Sequence, residues 1–428
     1  MGYKHITLTD DALWSVMQKL RNTLNFLQAA LVRLFVFLPR EILGCLNILP
    51  LLRRHRHRRQ RNSGARRIAF EAYSPHLAQM FVPILDALAK EQDLTIDFIV
   101  MFHPFRGLRG MRQTQRAAHE ILKIPEERIR RIWQVYWEKY DCIICNDIYA
   151  KFPILRTHKI LLPHGPGFSS REITTSLLRK SAHDFDSFFL VGESSNRSAK
   201  KYIRHRPQTY VVGFPYVDPL VTGATCATRL LGDPRLASGR KRVLFAPHWG
   251  TATVTGEQSE FSFERVMDCL ISKDILVILK LHAALEVKGQ AHGVSWPQVL
   301  SRYEGADKVL VVHDMHDIPY FQMADLLITD FSGRAFCFML TDKPVILLAQ
   351  PESHFEHPLK KARYEKMKQG SYVVKTVAEL SLGLDLSLQH PGERSAARKR
   401  VVEDNFAFRG CAAAENGKTV RRLAAAAR

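Results

Sequence analysis

Four stretches of this chain end an apolar run in residues able to hold an anion or move a proton. In Ala324-Asp-Leu-Leu-Ile-Thr-Asp330-Phe331-Ser332-Gly333-Arg334 an apolar strand closes on an acid, a hydroxyl, a glycine and a guanidinium, and a helical pattern follows at once. The carboxyl end of a parallel strand and the N–H groups of the next helix together can hold a phosphate without a dedicated cation. Lys280 and His282 stand two apart at the end of the run Ile275 to Leu281, so one face of a strand would present an ammonium and an imidazole to a diphosphate. Ala246-Pro-His248-Trp-Gly-Thr251 is a third strand end of this kind. In the fourth, Lys159-Ile-Leu-Leu-Pro-His164-Gly165-Pro-Gly167, a strand ends on an imidazole followed by turn-forming glycines. With an ordinary pKa of about 6.5, His164 is suited to take a proton from an attacking hydroxyl. Together these residues point to a phosphorylated nucleotide.

The elements that must position them follow from the apolar runs. From Arg67 onward strands and helices alternate: a strand at Ile68 to Ala72, a helix from Met80 to Leu88, a strand at Ile96 to Met101, a polar helix from Gln113, then strands at Cys142 to Cys145, Lys159 to Leu162, Ser187 to Val191 and Thr209 to Val212. After a loop rich in Gly, Asp and Pro at about 222–239, the plan repeats with strands at Val243 to Ala246, Ile275 to Leu281, Val309 to Val312, Leu326 to Ile328, Pro344 to Ala349 and Ser371 to Val374. Alternation at this spacing predicts βαβ units and largely parallel sheets. The expected α/β architecture is two Rossmann-like, doubly wound domains facing a central cleft, the arrangement called GT-B in glycosyltransferases. Residues 66–222 form the first, acceptor domain and 240–428 the second, nucleotide-donor domain.

Residues 1–65 are of another kind. A helical pattern through Trp14, Met17 and Leu20 continues in an apolar run to Leu38, and Pro39 interrupts it; a second apolar run ends at Leu52. Both fall short of the roughly 20 residues a spanning helix needs. Arg53-Arg-His-Arg-His-Arg-Arg-Gln-Arg61 follows directly. An apolar helix beside a basic run predicts a helical extension lying on an anionic membrane surface. The whole chain carries 62 Lys and Arg against 42 Asp and Glu, a net +20, which favours anionic partners without choosing among them. Seven scattered Cys give no disulfide framework, and Cys142 and Cys145 read as part of a buried strand. No secretory signal layout is present, so the expected location is the cytoplasmic face of the membrane, peripherally held.

The same residues carry a resemblance. The second unit resembles the CDP-glycerol glycerophosphotransferase family, which includes teichoic-acid primases and polymerases. Ala324 to Gly333 resembles the family's Ala-Asp-x-Leu-Ile-Thr strand and Asp-Tyr-Ser-Ser stretch, with Phe331 for Tyr and Gly333 for the second Ser. Asp314 to Tyr320 resembles the run into that strand, and Leu279-Lys-Leu-His282 the basic-Leu-His strand. Leu244-Phe-Ala-Pro247 resembles the Tyr-Ala-Pro-Thr-Trp motif with His248 for Thr, Gly213-Phe-Pro-Tyr-Val-Asp218 the Gly-x-Pro-Arg-x-Asp linker, and Pro163-His164-Gly165 the Trp-His-Gly. The closing stretch Phe408 to Leu423 is loosely similar to the family's last helix start.

The resemblance implies a transferase moving a polyol phosphate from a CDP-activated donor to a lipid-linked or polysaccharide acceptor in cell-surface polymer synthesis. It makes His164 the base, and puts Lys280, His282, Ser332, Gly333 and Arg334 on the donor's diphosphate. His248 stands at the same strand ends, and Asp330 is expected to orient its loop, since two anions repel. No metal or cofactor is invoked, because imidazole, ammonium and N–H groups can stabilise the leaving nucleotide. A glycosyltransferase using a UDP- or GDP-sugar and a non-catalytic membrane-associated binding protein remain as alternatives. Nucleic acid is not an expected partner.

Overall fold

The structure, a computed structural model, describes residues 66–427 apart from segments 102–106, 136–137, 148–156, 167–184, 203–206, 225–231, 254–259, 283–284, 286–289 and 292–293 and single residues 90, 92, 252, 315 and 356. The expected membrane-surface extension, 1–65, lies outside the described residues. Contacts group the chain into two compact units. One runs to Leu161 and takes in Val420–Arg428; the other is Leu162–Thr419. Among the described residues no helix is long and apolar enough to cross a membrane.

The first sheet has seven strands, in chain order β1 (Arg66–Ala72), β2 (Leu94–Val100), β3 (Ile129–Arg131), β4 (Cys142–Cys145), β5 (His158–Leu161), β6 (Ser187–Leu190) and β7 (Gln208–Val211). Their spatial order is β3-β2-β1-β4-β5-β6-β7, so the winding reverses between β1 and β4. Both neighbours of β1 run parallel to it, with Glu71 opposite Ile99 on β2 and Cys145 on β4. Parallel strands are covered on both faces and read as unbroken apolar runs; Cys142–Cys145 is buried at all four positions.

The helix expected from Met80 to Leu88 begins at Val82, and a separate short helix, Pro75–Gln79, precedes it. Pro75–Gln79 starts from Ser74, whose side chain accepts the Leu77 N–H at 3.3 Å, and Val82–Leu88 restarts the winding with Pro83 in its first turn. A proline has no N–H to lose there. The polar helix is Gly107–Glu120, beginning earlier than expected. A fully buried acid, Asp97 on β2, accepts the Tyr140 hydroxyl at 2.9 Å and the Arg67 guanidinium. A buried carboxylate is tolerated only when paired in this way.

The second sheet holds β8 (Lys241–Phe245), β9 (Ile275–Leu279), β12 (Val309–Val311), β13 (Leu326–Thr329), β14 (Val345–Leu348) and β15 (Tyr372–Val374); a small antiparallel pair, β10 (Gln290–Ala291) and β11 (Val294–Ser295), lies apart. Its order is β12-β9-β8-β13-β14-β15, again with the first strand inside and a reversal beside it. All recorded pairings in it are parallel. One face packs a core that includes Val277, Leu279 and Leu281, Phe263 and Met267 of the helix Phe263–Ile271, and Leu380 and Leu384 of the helix Val377–Gln389.

The chain between β7 and β8 is tied to the last helix, Ala412–Ala426. The Asp218 carboxylate accepts the N–H groups of Gly410 at 3.1 Å, Ala412 at 3.2 Å and Ala413 at 2.8 Å. Asn416 donates to the Val212 carbonyl at 2.9 Å. Gly213 has φ +80°, and a Cβ there would stand 2.5 Å from the Ala407 carbonyl oxygen, so only glycine fits. These contacts give a structural reason for the Gly-Phe-Pro-Tyr-Val-Asp stretch.

Candidate functional site

All eight residues singled out by the sequence fall in the unit Leu162–Thr419. Two side-chain groups organise them.

The first centres on Asp330, which follows β13 directly and is fully buried. Its Oδ1 accepts the His248 backbone N–H at 2.8 Å, and its Oδ2 accepts the Thr251 hydroxyl. Burial pushes this carboxyl up to about 6. The carboxylate thus fixes the turn after β8 to the turn after β13, and it faces inward. Thr251 also donates to the His248 carbonyl, as shared acceptors of one hydroxyl, at 2.9 Å.

His248 is set further by Gly250, whose N–H donates to Nδ1 at 3.2 Å. In the neutral ring this puts the proton on Nε2 and makes that nitrogen a donor. The rings of His248 and His282 are edge-on at 6.1 Å between centroids, and Trp249 stands 6.4 Å from His282. Two half-buried imidazoles from separate strand ends are therefore neighbours.

The second group surrounds Lys280. The strand predicted to reach Leu281 stops at Leu279, so Lys280 is the first residue beyond β9. Leu279 and Leu281 belong to the core, and Lys280 and His282 alternate with them. Lys280 is only 2% exposed. Its ammonium donates to the Asp314 carbonyl, lies 3.7 Å from Asp317 Oδ1 and 4.0 Å from Asp314 Oδ1, and sits 5.2 Å from the centre of the Tyr320 ring. Arg334 grips the same Asp317, Nη2 to Oδ1 at 3.0 Å and Nε to Oδ2 at 3.1 Å, and reaches the carbonyls of Lys280 and Leu281 at 3.4 and 3.5 Å. Two cations and two carboxylates are thus balanced inside the protein. An ammonium taken out of water must be paired like this, and the donors of both cations are directed at acids and carbonyls of the chain.

Ser332 is buried and its Oγ accepts the Arg334 N–H at 3.3 Å. The Ser332 and Ala335 N–H groups go to the Asp330 and Ser332 carbonyls. The helix that follows, Arg334–Met339, has only six residues. Most of the N–H groups expected to cradle an anion are therefore used within the turn itself, and the helix is too short to carry much dipole.

His164 is half-buried, in the loop after β5. Two residues on, Pro166 lies against Gly333: a Cβ on Gly333 would meet Pro166 Cδ at 3.3 Å. The loop carrying the proposed base and the Ser332-Gly333 turn are thus in contact. The same Cβ would meet Arg363 Nη2 at 3.0 Å.

Sequence reasoning assigned no role to Thr251, Asp314, Asp317, Tyr320 or Arg363. Asp314 to Tyr320 had been singled out only as a stretch, and nothing in its spacing identifies which cation each acid meets.

The profile of a family described as CDP-Glycerol:Poly(glycerophosphate) glycerophosphotransferase matches residues 167–423, more than half of the chain. The match begins just beyond His164. Among curated proteins none matches the sequence. Among solved structures, the wall teichoic acid polymerase TagF is similar over 92% of this chain and 98% of its own, at 15% identity and TM-score 0.57. A TagF variant soaked with CDPG is similar over the same shares at 15% identity and TM-score 0.53. S. aureus MnaA with UDP is similar over 83% of this chain and 96% of its own, at 12% identity and TM-score 0.57. These likenesses show the fold, two parallel α/β sheets of the GT-B-like kind. With the profile spanning both histidine-bearing strand ends of the second sheet and the Asp330 turn, the chain belongs to the CDP-glycerol:poly(glycerophosphate) glycerophosphotransferase family.

Proposed function

We propose that this protein transfers glycerol phosphate from CDP-glycerol to a hydroxyl of a lipid-linked or polysaccharide acceptor, in the synthesis of a teichoic-acid-like polymer. The observation that carries this reading is the junction of His248, His282 and the Asp330 turn within a chain of this family. His164 takes the acceptor's proton as its oxygen forms a bond to the glycerol-phosphate phosphorus. The bond from that phosphorus to the bridging oxygen breaks, and CMP leaves with the electron pair. His248, His282, Ser332 and Gly333 face the diphosphate; imidazole N–H groups can stabilise the leaving charge. Asp330, Lys280 and Arg334 hold these groups in register through Thr251, Asp314 and Asp317, which is a positioning role.

The domain reading of 66–222 for the acceptor and 240–428 for the donor is part of this proposal, as is attachment to an anionic membrane surface through residues 1–65. The test is to incubate the full chain with CDP-glycerol, CDP-ribitol, UDP-sugars and GDP-sugars and a crude lipid-linked acceptor. Release of CMP from CDP-glycerol in proportion to acceptor is expected. Turnover of a UDP- or GDP-sugar instead, or of no donor at all, overturns it.

A further inference from the structure

The donor's diphosphate needs positive charge, and Lys280 and Arg334 share theirs with Asp314 and Asp317. The chain has another guanidinium at the same turn. Arg363, on the helix Pro358–Gly370, lies over the ring faces of Phe331 at 6.0 Å and Phe336 at 5.6 Å. Phe331 is the residue between Asp330 and Ser332, and Phe336 lies in the helix that opens after Gly333. The ring faces attract the guanidinium as a cation and so help to place it.

Gly333 explains how the head reaches this place. Its φ is ordinary, so backbone freedom is not what requires glycine. What glycine gives is room: a Cβ would stand 3.0 Å from Arg363 Nη2 and 3.3 Å from Pro166 Cδ, and each would have to give by a few tenths of an ångström. The bare Cα of residue 333 is where the guanidinium and the His164 loop both close on the turn. The position at which family members carry a second hydroxyl is here left empty and approached by a cation.

We propose that Arg363 is a ligand of the donor's diphosphate, admitted to the site because residue 333 has no side chain. This rests on the reading of the site as one for a CDP-activated donor. Arg363 supplies forked N–H donors to phosphate oxygens, a geometry that a lysine cannot copy. It thereby adds to the positive charge offered to the diphosphate.

The test uses the full chain and compares binding of CDP-glycerol, CDP and cytidine. Arg363→Met, which keeps an apolar stem against Phe331 and Phe336, is expected to weaken CDP-glycerol and CDP about ten- to hundredfold while leaving cytidine within twofold. Arg363→Lys should recover part of the loss. Gly333→Ala, by crowding the guanidinium, should produce a smaller loss that is likewise phosphate-selective, and the double variant Gly333→Ala/Arg363→Met should be no worse than Arg363→Met alone. Equal weakening of all three ligands would mean a general structural role and would overturn the proposal, as would CDP binding by Arg363→Met within twofold of the parent. If His282→Ala loses CDP and Arg363→Met does not, this inference fails while the donor-site reading stands. If the parent chain binds neither CDP nor CDP-glycerol, both fall.

Discussion

Asp317 clasps Arg334 at two points, 3.0 and 3.1 Å, and lies 3.7 Å from the ammonium of Lys280. One carboxylate thus serves a buried ammonium and a half-buried guanidinium from different strand ends, and the Asp317 N–H donates to the Tyr216 hydroxyl at 2.9 Å. Removing it leaves two positive groups in a poorly solvated place. Asp317→Ala is expected to lower unfolding free energy by about 3–5 kcal/mol, read from denaturant midpoints. A loss below about 1 kcal/mol would show that the brace carries little.

The division of labour between the imidazoles is open to kinetic separation. His164→Ala should reduce kcat by about a hundredfold or more with donor affinity almost unchanged. His282→Ala and His248→Ala should chiefly weaken the donor. Identical losses of donor binding in all three would contradict separate roles.

Glu71, at the end of β1, gives a pH prediction. It is fully buried, burial first and the nearby Asp147 second raising its pKa from the ordinary 4.5 to about 8. The folded value lies above the unfolded one, so its contribution to stability is complete below about pH 4.5 and falls as pH rises through about 8. Glu71→Gln removes the titration. The variant should gain on the parent by about 1.4 kcal/mol per pH unit across that window, measured as the difference in unfolding free energy between pH 5 and pH 8. A constant difference would mean that Glu71 does not titrate there.

The interlock of Asp218 with the last helix predicts a stability effect of its own. Asp218→Ala deprives three N–H groups of their acceptor and should cost about 1–2 kcal/mol, visible in Tm. Hydrogen exchange should rise first in Ala412–Ala426.

Deleting residues 1–65 should release the protein from anionic lipid vesicles. Continued sedimentation with them would refute the proposed attachment.

Most of both sheets was legible because parallel strands, covered on two faces, are written as uninterrupted apolar runs. β3 escaped because its three residues are Ile129-Arg-Arg131, whose charged members hide an edge strand among helix-like surroundings. The start at Val82 rather than Met80 was marked by Pro83 in the first turn, a local signal open to a closer sequence reading. The anionic turn was visible as a strand end; its use of its own N–H groups was not, since that depends on how Ser332 folds back on Arg334. Lys280 was legible as a cation at a strand end. That it is buried and paired became evident only with Asp314 and Asp317, which come from a separate loop. Arg363 and Gly333 meet in space, and the 29 residues between them conceal their dependence.

The hold of Asp218 on Ala413 spans 195 positions of sequence. During synthesis the chain after β7 therefore waits for its anchor until Gly410 to Ala413 have been made. A prematurely stopped product keeps Asp218 and the backbone around Gly213 open to water, and so bears a mark of incompleteness that proteases can read.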